Sequence, residues 1–151
     1  MKYLDTLSKY NTIIDSIQKL AKFPTLNALY LCQAWVHDIS YLGHCNDFDV
    51  IQFNSLSISD ISALENKTRL KALGIVHCKL SDLSPIQHLV QLEILDLSHN
   101  EISEISPLFN LKNLSQLKLS GNPLKPTQLR QLRKNLPNCT LIFEAKPARK
   151  K

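Results

Sequence analysis

A 22-residue period runs through most of this chain and restricts its fold more than any other feature. Leu92 to Asn113 reads LEILDLSHNEISEISPLFNLKN, and Leu114 starts the phrase again as LSQLKLSGNPL. Moving back by 22 from Leu92 reaches Leu70, Phe48 and Leu26. Within each unit, positions 1, 4, 6, 11, 14, 17 and 20 are apolar. The four full units hold 28 such positions, of which 27 are apolar, in a chain only 44% apolar; Lys67 is the exception. A unit this short cannot enclose its own apolar side chains, so neighbours must stack and bury them together. Each Leu or Ile so buried contributes roughly 1.5–3 kcal/mol.

The spacing assigns local structure. Positions 4 and 6 alternate as in a short strand and point inward. Positions 14, 17 and 20 recur every three residues, which suits a tight helical turn on the outer side. Position 9 reads Ala34, Leu56, Cys78, Asn100 and Asn122, so an asparagine ladder between rungs is complete only toward the C-terminus. Position 13 reads Asp38, Asp60, Asp82 and Glu104, and position 15 reads Ser40, Ser62, Ser84 and Ser106. Serine followed by proline, as in units three and four, predicts a serine N-cap for each turn. The acidic residue before it suits the positive end of that turn. Capping explains this column more economically than catalysis does.

The pattern resembles the leucine-rich repeat, LxxLxLxxNxLxxLxxLxxLxx, over Leu26 to Leu124, most specifically in the last two units. The phrases ISDIS and LSDLSPI look like those of bacterial internalins and of the 22-residue subunits that regulate protein phosphatase 1. The resemblance implies an α/β class, right-handed solenoid. Its parallel sheet lines a concave side, and short helical turns line the convex side. It also implies a non-enzymatic module that binds a protein partner, without a cofactor or metal. A bacterial effector or toxin-neutralising protein is one such use; an RNA-associated adaptor is another.

The ends of a solenoid need covering. Leu4, Leu7, Ile13, Ile14, Ile17 and Leu20 recur close to helical spacing and predict a helical N-terminal cap over residues 1–25. Residues 26–122 form the repeats and 123–145 a C-terminal cap. There, Thr127 caps a helix carrying Leu129, Leu132 and Leu136, and CTLIF adds a last parallel strand. Residues 146–151 are a basic tail. Residues 1–113 hold 9 Lys/Arg and 12 Asp/Glu, a net of −3, whereas residues 114–151 hold 9 Lys/Arg and Glu144, a net of +8. The basic end suits RNA or an acidic protein; a solvated helix face and tail is the plainer reading.

Side chains at positions 3, 5, 7 and 8 point away from the core and form columns about 4.8 Å apart from rung to rung. Those singled out for partner binding are Tyr30, Val50, Gln52, Asn54, Val76, Ile94, Asp96, Gln116 and Lys118. Val50, Val76 and Ile94 have no folding role there, and polar neighbours surround them, as at the centre and rim of an interface. Trp35 is a second possible anchor. His77 and His99, both at position 8, should lie near each other, a weak metal signal without a third ligand. Cys32, Cys45, Cys78 and Cys139 form no CxxC pair and read as reduced thiols. No apolar run approaches the length of a membrane span, and the N-terminus lacks an unbroken apolar stretch. A cytoplasmic protein, monomeric when free, is expected, with export by a machine that reads no such signal left open.

Overall fold

A computed structural model describes residues 6–10, 26–32, 36–45 and 48–144, the first stretch as backbone only. Among the described residues, seven strands form one parallel sheet in sequence order: β1 Thr6–Tyr10, β2 Ala28–Cys32, β3 Val50–Asn54, β4 Ala72–Val76, β5 Ile94–Asp96, β6 Gln116–Lys118 and β7 Thr140–Ile142. The register steps by 22 from strand to strand, Ala28 to Val50, Ala72, Ile94 and Gln116. Short 3-10 turns at Ser40–His44, Ser62–Leu64, Ser84–Ile86 and Ser106–Asn110 run on the far side of the core. Parallel strands joined by such crossovers wind right-handed.

The apolar positions meet in one core. Phe48, Leu70 and Leu92, at position 1 of successive units, are each at most 1% exposed. Inward strand residues Leu29, Leu31, Ile51, Phe53, Leu73, Ile75 and Leu95 join the same cluster, as do Ile61, Leu64, Ile86 and Leu108 behind them. Lys67, the exception to the pattern, is buried as well, at 3% exposed. Its ammonium donates to the Cys45 carbonyl at 2.8 Å. Cys45 holds the same position one rung earlier, so the polar end of Lys67 satisfies the neighbouring rung's backbone.

Two expectations need correction. The helical N-terminal cap over 1–25 is overturned at Thr6–Tyr10, which is a strand paired to β2 from Thr6 opposite Ala28 to Tyr10 opposite Cys32. The 22-step therefore continues one rung further back. Leu4, Leu7 and Ile14 satisfy both the repeat and a helix, and the tertiary pairing decides. Leu4, Ile13, Ile14, Ile17 and Leu20 lie outside the described residues, as do Ala34, Trp35 and the tail 146–151. After the repeats come α1 (Pro126–Asn135) and β7, with Leu132 and Leu136 buried. The helix does not begin on Thr127: its N-cap is Lys125, and the Gln128 side chain accepts from the Lys125 N–H at 2.9 Å.

The second correction concerns the turns. Serine is not the cap, since each serine is already the first residue of its turn and no side-chain cap bond is made by the residue before it. The acidic residue two places earlier does this work. Asp38, Asp60, Asp82 and Glu104 each accept the backbone N–H of the serine at 2.7–2.9 Å. These bonds, first among the causes, hold the Asp38, Asp60 and Glu104 carboxyls below their ordinary values. A depressed folded value means the stabilisation is present above the unfolded carboxylate value, about 4, and disappears as pH falls through the folded values. Replacing all three by alanine should lower the urea midpoint at pH 7, and the gap from the parent should close below about pH 4. Parallel midpoint curves from pH 7 to 2.5 would show that these carboxylates contribute nothing.

Candidate functional site

The face of the sheet opposite the core carries three columns of side chains. The first runs Ala28, Val50, Ala72, Ile94, Gln116 and Thr140, each opposite the next. The second runs Tyr30, Gln52, Gly74, Asp96, Lys118 and Ile142. The third pairs Cys32 with Asn54 and Asn54 with Val76, and Ser98 and Ser120 follow in sequence. All nine residues singled out from the sequence thus share one surface.

Their exposure is graded. Ile94 at 46% and Tyr30 at 37% are exposed large apolar side chains. Val50, Gln52, Asn54, Val76, Asp96, Gln116 and Lys118 are half-buried. Ala28 and Gly74 are buried, so the face has low rungs between taller ones. Gln52 lies across Gly74, where any Cβ would overlap its amide. Asp96 is fixed twice: it accepts the Ser98 N–H at 3.1 Å and pairs with Lys118 at 3.3 Å. With both partners partly exposed the ion pair adds little stability, but it balances the charge next to Ile94.

Beside this face runs the column at position 8, where the spacing places His77 and His99 near each other but does not reveal the backbone conformation. Ser55, His77, His99 and Gly121, all at position 8, have left-handed backbones with φ of 56, 53, 57 and 74°. Each donates its N–H to the residue before the equivalent position in the next rung, Val76, Ser98, Ser120 and Glu144 in turn. Only Gly121 advertises such a conformation in the sequence. The His77 and His99 rings stack, centroids 4.2 Å apart and planes 5° from parallel. The His99 ring lies against Gly121, where a side chain would collide with it. Among the described residues no group of three or more His, Cys, Asp or Glu is placed to hold a metal. Ile142, 38% exposed, also extends the second column. It follows Lys118 by 24 residues rather than 22, because α1 occupies the connection.

Burial raises the Cys45, Cys78 and Cys139 thiols above their ordinary values, as for inert apolar side chains. All four cysteines, Cys32 included, are free. Among the described residues no helix is long and apolar enough to cross a membrane.

Comparison with known proteins agrees with this geometry. The leucine rich repeat family profile matches residues 68–124. An internalin (inlF) from Listeria monocytogenes superposes with a TM-score of 0.75 at 26% identity, over 95% of this chain and 43% of the internalin. A leucine-rich repeat protein of Leptospira interrogans gives 0.81 at 24% identity, over 91% of this chain and 36% of its own. A plant peptide hormone receptor solved in complex with RGF2 gives 0.66 at 16% identity, over 91% and 26%. The chain thus spans less than half the length of these three structures. No curated protein sequence matches it.

Proposed function

We propose that this chain, similar to leucine-rich repeat proteins in profile and fold, binds a protein partner on the concave, open face of its sheet, without catalysing a reaction. The observation that carries this reading is Ile94. It lies on β5, 46% exposed, with Val76 on the adjoining strand, Val50 two strands away and Tyr30 on the strand beyond that. Exposed Ile94 and Tyr30 with half-buried Val50 and Val76 make an apolar centre, and apolar centres with polar rims are what protein interfaces bury. Gln52, Asn54, Gln116 and the Asp96–Lys118 pair supply that rim. A stacked solenoid holds the side chains in place before binding, so little ordering entropy is lost on association. The complex of the plant receptor with RGF2 offers a parallel for this architecture.

Ile94→Arg tests the proposal, with the natural partner recovered from host lysate on the parent chain. The arginine keeps the strand, since the side chain faces solvent, but places a charge in the centre of the contact. Affinity should fall by at least about 30-fold, with thermal stability unchanged. Unaltered affinity in a folded variant would remove the open face from consideration.

A further inference from the structure

The outer face of α1 is a second surface, separate from the open sheet. Leu132 and Leu136 are buried and Leu129 is half-buried, which fixes how the helix lies on the last rung. Gln128 and Lys112 tie it down further, donating to the Ser103 and Asn135 carbonyls at 2.7 and 2.8 Å. Arg130, Arg133 and Lys134 are then all exposed. Their spacing puts them within one turn, about 5–6 Å between Cβ atoms. Among the described residues none of the three forms an ion pair, whereas Lys118 is matched by Asp96. Between residues 112 and 144 the sole acidic residue is Glu144.

We infer that this face binds the phosphodiester backbone of a nucleic acid without reading its sequence. Two of the three cations are arginines, whose planar forks take phosphate oxygens in pairs. The other exposed side chains of the stripe, Thr127 and Gln131, are polar, so it lacks the apolar centre of a protein interface. The apolar side of α1 is used up in the core, leaving nothing to insert into a lipid surface. The stripe has no aromatic ring to stack on bases, so binding there rests on the phosphates alone.

The test uses the full chain and fluorescein-labelled 15-nucleotide oligouridylate and oligothymidylate, read by anisotropy. Both should bind. With about three phosphate contacts on a single strand, affinity should drop roughly 20-fold from 50 to 200 mM salt. Changing Arg130, Arg133 and Lys134 together to Glu should abolish binding. The milder change of all three to Gln should weaken it at least about 10-fold. Ile94→Arg should leave it untouched, which separates this surface from the open face. Failure of either oligonucleotide to bind, or undiminished binding by both folded variants, would overturn the inference. Competition by polyglutamate at equal charge concentration would do so too, and would assign the face to an acidic protein.

Discussion

Phe53→Ala should remove about 3–5 kcal/mol of stability, a large share of the 5–15 kcal/mol available to a typical domain. Phe53 is fully buried and lies opposite Leu31 on one side and Ile75 on the other. It is larger than either, so its loss opens a cavity shared by three rungs. A solenoid rung contacts only its neighbours, and they cannot close around the gap without disturbing the sheet hydrogen bonds on both sides. Phe53→Leu retains most of the volume and should cost below about 1.5 kcal/mol. Urea denaturation of both variants checks the pair. A cost under about 1 kcal/mol for the alanine would mean that Phe53 is not in a shared core.

Asn100→Ala should be nearly as damaging, about 2–4 kcal/mol, for a different reason. Asn100 is 2% exposed and joins two rungs. Its amide group donates to the Ile75, Leu97 and Ser98 carbonyls at 2.6, 3.0 and 3.2 Å, and its oxygen accepts the Leu80 N–H at 3.2 Å. Alanine leaves these buried backbone groups without that partner, and each orphaned group costs about 1–3 kcal/mol. Cys78, at the same position one rung earlier, makes weaker sulfur contacts, its thiol donating to the Val76 carbonyl at 3.5 Å. Cys78→Ala should therefore cost less than about half as much. Equal midpoints for the two alanine variants would show that the asparagine bonds do not stabilise the stack.

Much of this fold is legible because each inward position recurs at a fixed step, so a single misread residue cannot shift the register. Lys67 shows the limit of that reading: the step places it inside, but only the Cys45 carbonyl explains how an ammonium is tolerated there. The first strand was concealed by Lys9 at a normally apolar position and by apolar residues that fit a helix as well as a rung. The capping of the turns is ambiguous in the sequence because Asp and Ser are both capping residues. Which of them acts depends on where the 3-10 turn begins, and that is set by tertiary packing. On the open face, the columns follow directly from strand alternation, so all nine residues fall together. The stacked His77 and His99 do not follow from it, since their geometry depends on a left-handed backbone that only Gly121 signals.

Photocrosslinking tests most directly whether the open face receives the partner. A benzophenone amino acid is placed at Ile94 in one chain and at Val90 in another. Val90 is 50% exposed and precedes β5 in a turn off the sheet face, so the two positions offer similar apolar exposure in different places. Irradiation in the native host should give one discrete protein adduct from Ile94 and none from Val90. An adduct from Val90 alone would contradict the account and move recognition off the sheet.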